Sequence, residues 1–232
     1  MLFFPKLINP SGKIIGQFEH SVSKTVCVGR NYSAHAKELN NPIPNEPLLF
    51  IKPTNSLVDV SPVIGIPTDR GECHHELELA ILIGSKLSNC TKQEAIQSVK
   101  GIGLALDLTL RDLQTKLKLK GQPWEKAKGF DGACPITGFI DIDYFENLSD
   151  IEFSMYRDDT LSQEGNSKDM LFDIPTLIQD IADHFTLFPG DVVLTGTPEG
   201  VSPLFVGDKL KMELKGKQIA ESVVSSSTAI DY

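Results

Sequence analysis

The stretch Cys73-His74-His75-Glu76-Leu77-Glu78-Leu79-Ala80-Ile81-Leu82-Ile83 governs the reading of this chain. Written as an extended strand, it sends successive side chains to opposite faces. Leu77, Leu79, Ile81 and Ile83 share one face and make a continuous apolar surface. Glu76, Glu78, Ala80 and Leu82 share the other, so two carboxylates aim the same way and lead into apolar residues. Like charges that close repel unless one holds a proton or a cation lies between them. A hard divalent ion such as Mg²⁺ or Mn²⁺, bound through carboxylate oxygens, relieves that repulsion. On local pattern alone, a solvated strand face explains the two glutamates equally well. Cys73, His74 and His75 offer a weaker zinc set, with no second Cys/His cluster to complete a familiar spacing.

Working outward, Gly101-Ile102-Gly103-Leu104-Ala105-Leu106-Asp107 reads as an apolar strand of small residues ending on a lone Asp just before a helix. Strand ends are where side chains converge on pockets, although Asp107 or Thr109 could equally cap the helix. Downstream, Gln122–Asp131 sets the only Trp, Trp124, among turn residues and two lysines, Lys126 and Lys128. A lysine here is either surface decoration or a local cation in an acidic chain. In Gly29–Glu38, a short helix capped by Ser33 puts His35 and Glu38 at i and i+3 on one face. A carboxylate beside an imidazole orients the ring and suits it to general-base work, but such pairs are commoner on solvated helices. Thr195-Gly196-Thr197-Pro198-Glu199-Gly200 follows a short strand and offers hydroxyls and backbone N–H groups to an anion, or is simply a turn.

The rest of the chain alternates short β-prone runs with Gly/Pro punctuation. Strands are expected at Leu48–Ile51, Leu77–Ile83, Ile102–Leu106, Asp191–Leu194 and Lys209–Leu214, with turns at Asn9–Gly12, Pro189–Asp191 and Gly207–Asp208. Helices are expected at Ala95–Lys100 behind the capping box Thr91–Glu94, at Thr109–Lys120 and at Pro175–Phe185. Strands outnumber helices without regular alternation, so the fold class is α+β and β-dominated. No repeat or long linker divides the 232 residues, and a single domain over 1–232 is the simplest organisation.

Composition narrows the function classes. The chain holds 31 acidic against 22 basic residues, a formal charge of −9, which disfavours nucleic acid and anionic membrane as partners. Cys27, Cys73, Cys90 and Cys134 are scattered without a CxxC pair, as in a reducing compartment. The opening Met1–Lys6 is too short an apolar run for a signal peptide, so a cytoplasmic location is expected.

Taken together and in this order, the segments resemble the fumarylacetoacetate hydrolase family. The resemblance rests on the HxE-type strand, on LDLTLRDLQ from Leu106, on PWEKAKGFD from Pro123, on QEGNSKDM from Gln163 and on PGDVVLTGTPEG from Pro189. It covers nearly the whole chain and is similar to the compact branch of acylpyruvases, fumarylpyruvate hydrolases and oxaloacetate decarboxylases or tautomerases. The resemblance implies a layered, mixed β-sandwich roll, with a strand and turn region over 1–24 and a mobile lid over 30–45, and assembly as a homodimer. It makes Glu76, Glu78 and Asp107 the Mg²⁺ or Mn²⁺ ligands, His35 and Glu38 the catalytic dyad, and Lys128 a catalytic contact to the keto-acid end. Gln114 and Thr197 become substrate-binding residues, with Arg30 a supporting charge and Arg111 a more distant one. No acidic residue lies between Cys27 and Asn31, so the fourth carboxylate of larger members is missing here.

The activity the resemblance implies is metal-dependent cleavage of a C–C bond in a small anionic 2,4-dioxo acid. His35, oriented by Glu38, would activate water, and the metal would stabilise the enolate of the pyruvate released. An oxaloacetate decarboxylase or keto–enol tautomerase using the same site is the alternative. A catalytically silent keto-acid-binding relative is a third reading, which retention of His35, Glu38 and Lys128 argues against.

Overall fold

The computed structural model describes residues 2–38 and 42–227. The fold is strand-dominated α+β, as expected, and its centre is the strand Leu77–Ile83. This strand pairs antiparallel with Val99–Leu106 on one side and with Val192–Leu194 on the other. The mixed ten-stranded sheet built around it runs from Ile14–Gln17 at one edge to Leu48–Lys52 at the other. A five-stranded sheet orders Thr160–Asn166, Glu152–Arg157, Lys209–Leu214, Lys217–Ser226 and Val63–Ile66. A three-stranded sheet joins Thr109–Leu110, Cys73–His75 and Ser202–Pro203.

The alternation read from sequence is the alternation that packs. Leu77, Leu79, Ile81 and Ile83 are fully buried and share one core with Phe153 and Met155, Leu210, Met212 and Leu214 of the five-stranded sheet, and with Ile178 and Ile181. Ala80 and Leu82, on the opposite face, join a second core with Cys27, Cys134, Ile136 and Phe139. A central strand with both faces covered explains why its residues are apolar on either side of the carboxylates. Truncating Leu79 to alanine would cost about 2–5 kcal/mol.

The small residues of Val99–Leu106 have a packing reason. A Cβ on Gly101 would stand 2.7 Å from Ile140 O, and one on Gly103 would stand 2.7 Å from Gly138 O. Glycine therefore lets the strand Phe139–Asp141 and the residues before it approach closely.

The three expected helices differ from the observed ones only at their ends, whereas strands such as Thr25–Gly29, Glu152–Arg157 and Lys217–Ser226 are not among those expected. The capping box forms, with Thr91 N donating to Glu94 Oε2 at 2.8 Å. Because the cap directly precedes the first helical turn, the helix is Lys92–Gln97, and Val99 and Lys100 belong to the next strand. Thr109 and Leu110 pair with His74 and Cys73, so the following helix is Arg111–Leu119. The third helix is Ile174–His184, capped by Asp173, whose Oδ1 accepts from Thr176 N at 2.9 Å. The N-terminal region forms the strands Lys6–Ile8 and Ile14–Gln17 around the turn at Asn9–Gly12. Of the lid expected over 30–45, residues 39–41 lie outside the described residues. Among the described residues no helix is long and apolar enough to cross a membrane.

Candidate active site

The register of two strands gathers three carboxylates. Leu77 lies opposite Leu106 and Glu78 opposite Ala105. Continuing that ladder, Asp107 N donates to Glu76 O at 2.8 Å, which sets Asp107 across from Glu76. Cross-strand partners and i, i+2 neighbours share a face. Glu76, Glu78 and Asp107 therefore converge, all buried, with ligand oxygens within 4.8 Å of one another. Glu76 itself falls in the break between Cys73–His75 and Leu77–Ile83 rather than inside one continuous strand. Asp107 does not cap the helix, since that position belongs to Leu110.

Two cations face this acidic group from the cavity side. Lys128, on the short helix Glu125–Lys128, donates to Glu76 Oε2 at 2.8 Å and to Asp107 Oδ2 at 2.5 Å. Arg111 donates through Nη2 to Glu76 Oε1 at 2.5 Å and through Nη1 to Gln114 Oε1 at 2.8 Å. Burial alone would raise the Glu76 carboxyl, but Lys128 and then Arg111 hold it well below the ordinary range. Glu78 is pushed well above that range, first by burial and then by Asp107 and Glu76, against the Lys128 ammonium and a backbone hydrogen bond from Gly196 N at 2.7 Å. Burial would lower the Lys128 ammonium, yet Asp107 and Glu76 raise it, so the lysine stays charged.

Lys52 is a contact of the acidic cluster that sequence reading missed. It is completely buried, with Nζ 2.8 Å from Asp107 Oδ1 and donating to the carbonyls of Lys128 and Ala133. The available signal was a lysine closing the apolar run Leu48–Ile51, a position where an unpaired charge is costly. Asp107 Oδ1 has this ion-pair contact but accepts no hydrogen bond. A buried carboxylate oxygen with open acceptor capacity, beside a glutamate disfavoured as an anion, fits a divalent cation held by hard oxygen ligands. The zinc alternative does not form. His75 bonds Gln163 and Ser202, and His74 bonds Glu72.

The carboxylates lie in a narrow cavity of about 40 Å³ that Arg30, His35, Arg111, Gln114, Lys118, Trp124, Lys128 and Thr197 also line. Arg111, Gln114 and Lys118 reach it together because i, i+3 and i+7 fall on one helix face. Arg30 enters from a backbone at φ 60, a left-handed conformation that costs a non-glycine residue about 1–3 kcal/mol. Burial, then Arg30 and Arg111, push the Lys118 ammonium down, the mark of clustered cations.

Ser33 opens the helix Ser33–Glu38, and His35 Nδ1 lies 3.2 Å from Glu38 Oε2. Glu38 Oε1 also accepts from Gly200 N at 3.1 Å. If Nδ1 carries the hydrogen toward Glu38, Nε2 keeps the basic lone pair. Thr197 lines the cavity, but its hydroxyl hydrogen points to Leu77 O at 2.8 Å and away from service as a donor to an anion. Gly196, at φ +93, fits where a Cβ would stand 2.7 Å from Asn31 Cβ, and this turn aims its N–H at Glu78.

Comparison with known proteins follows the same outline. The model of the fumarylacetoacetate (FAA) hydrolase C-terminal region matches residues 24–225. The chain is 46% identical over 207 residues to the oxaloacetate tautomerase YcgM of Escherichia coli strain K12, spanning 89% of this chain and 94% of that one. It is 44% identical over 203 residues to a mitochondrial oxaloacetate decarboxylase of Dictyostelium discoideum, spanning 87% and 93%. The crystal structure of fumarylpyruvate hydrolase from Pseudomonas aeruginosa, in complex with Mn²⁺ and pyruvate, superposes with a TM-score of 0.86 at 29% identity, covering 96% of this chain and 97% of that one.

Proposed function

The chain belongs to the fumarylacetoacetate hydrolase family, and from that premise we propose that it interconverts the keto and enol forms of oxaloacetate. This places the alternative ahead of the C–C hydrolysis first expected, because the oxaloacetate enzymes are 44–46% identical and the fumarylpyruvate hydrolase 29%. The observation that carries the reading is one cavity holding three buried carboxylates together with Arg30, Arg111, Lys118 and Lys128. Glu76, Glu78 and Asp107 would hold Mg²⁺ or Mn²⁺, which when bound supplies Lewis-acid polarisation of a 2-oxo acid. Arg30, Arg111 and Lys128, which line the same cavity, favour a small anionic substrate there.

The chain's own residues supply the proton chemistry. His35 Nε2 removes a proton from C3 of the keto form, the C–H electrons become the C2=C3 double bond and the C2=O π electrons move onto the 2-oxo oxygen; the same proton is then returned to that oxygen, which restores the neutral imidazole. Glu38 fixes the imidazole and balances the charge it gains. An ammonium has three N–H donors; Lys128 gives two to Glu76 and Asp107, which leaves one for the 2-oxo oxygen. Gln114 Oε1 is taken by Arg111, so its NH₂ faces outward as a donor to a substrate carboxylate.

Decarboxylation is the second reading, favoured by the Dictyostelium relative. It breaks C3–C4 instead of a C–H bond and needs no base for that step. Purified protein with Mg²⁺ and oxaloacetate, followed by enol absorbance and by pyruvate release, separates the two. Accelerated equilibration without pyruvate, lost in His35→Ala, is expected. Pyruvate as the main product would establish the second reading, and turnover of an acylpyruvate alone would restore hydrolysis. The four cysteines are free and buried, in keeping with a cytoplasmic enzyme, and the homodimer implied by the family is part of the same proposal.

A further inference from the structure

Gln163 lies on the strand Thr160–Asn166, outside the cavity lining, and is almost fully buried. Its Oε1 accepts from Leu77 N at 2.8 Å and faces His75 Nδ1 at 2.9 Å. An amide oxygen only accepts, so Nδ1 of His75 carries the hydrogen and Nε2 is left to accept from Ser202 Oγ at 2.8 Å. Two donors on one side fix the amide against flipping. Its Nε2 must then face the other way, where it donates to Thr197 Oγ1 at 2.9 Å and to Pro198 O at 3.1 Å.

Those acceptors sit in the middle of the 195–200 loop. At one end of that loop Gly196 N donates to Glu78 Oε2 at 2.7 Å, and at the other Gly200 N donates to Glu38 Oε1 at 3.1 Å. One buried amide thus grips the segment that touches both a carboxylate of the acidic cluster and the partner of His35. Thr197 Oγ1 completes the grip by passing its hydrogen to Leu77 O.

We propose that Gln163, oriented by His75, is a positioning residue that clamps the 195–200 loop and thereby aims Glu78 at a divalent cation and Glu38 at His35. Neither side chain touches substrate; both act through the loop. Removing a partner that orients a ligand typically weakens metal binding about 10- to 100-fold. The inference rests on the proposed function only for the roles of Glu78 and Glu38, so its test reads binding as well as turnover.

Mn²⁺ affinity is measured by calorimetry, without substrate, for the parent protein and for Gln163→Met, His75→Leu and His75→Asn, with the metal-free melting midpoint of each. Gln163→Met and His75→Leu are expected to bind Mn²⁺ about 10- to 100-fold more weakly, with kcat on oxaloacetate falling in parallel. His75→Asn, whose side-chain N–H can replace Nδ1–H, is expected to stay within about threefold of the parent protein. Equal affinity in all four proteins would overturn the inference alone, and a parent protein that bound no Mn²⁺ would overturn the site reading with it. Should Gln163→Met fail to fold, the two His75 variants decide, since indistinguishable affinities in Leu and Asn would refute orientation by a donated hydrogen bond.

Discussion

Replacing Lys128 with methionine tests whether the acidic cluster is built for a cation. The substitution keeps most of the stem, including its place beside the Phe50 ring, and deletes the ammonium that bonds Glu76 Oε2 at 2.8 Å and Asp107 Oδ2 at 2.5 Å. Removing one partner of a buried ion pair costs about 3–5 kcal/mol, because the remaining charge is stranded. Here Arg111 still holds Glu76 and Lys52 still faces Asp107, so the lower end applies, about 3 kcal/mol. For a chain of this length that lowers the melting midpoint by about 6–12 °C in chelator. A divalent cation brings positive charge to the same oxygens without the repulsion of the lysine. At about 100 times its Kd it returns about 2.7 kcal/mol, most of what was lost. Thermal melts of both proteins, in EDTA and across a Mg²⁺ series, make the comparison. The rise caused by Mg²⁺ should be larger in Lys128→Met than in the parent protein. An equal or smaller rise would refute the idea that ammonium and metal serve the same oxygens.

Lys52→Met should cost about 3–5 kcal/mol by chemical denaturation, and Mg²⁺ should restore little of it, because Lys52 meets Asp107 and three main-chain carbonyls away from the cavity. Burial lowers His75 to about 4 from its ordinary 6.5, so between those values the unfolded chain takes a proton that the folded one refuses. Stability should therefore fall as the pH drops through that window, by up to about 3 kcal/mol, and His75→Asn should flatten the dependence in urea midpoints. Because burial, Asp107 and Glu76 raise Glu78, a cation has to displace its proton. Mn²⁺ binding should weaken as pH falls, and calorimetry at about pH 6 in buffers of different ionisation enthalpy should register proton release; identical heats would count against it.

The linear sequence by itself determined the alternation in Leu77–Ile83, and with it which side chains share a face with the carboxylates, though not that both faces are buried. Periodicity of two is a local property, legible wherever both faces have a clear character. The order of short motifs was also sufficient to identify the family, since each motif carries a fixed local geometry. Helix ends were less legible: Val99 and Lys100 lie in a strand instead of the expected helix, because Val99 pairs with Ile83 and Gly101 with Leu82, partners outside the local window.

Tertiary structure decided the charges. Lys52 looks like the polar end of an edge strand until Asp107 and the carbonyls of residues 108, 128 and 133 are brought to it. Thr197 looks like an anion-binding hydroxyl until Gln163 and Leu77 fix its hydrogen. A charge or hydroxyl takes its role from partners within a few ångströms. Those partners lie 34–120 residues away for Thr197 and 55–81 for Lys52, a separation that only the folded chain can close.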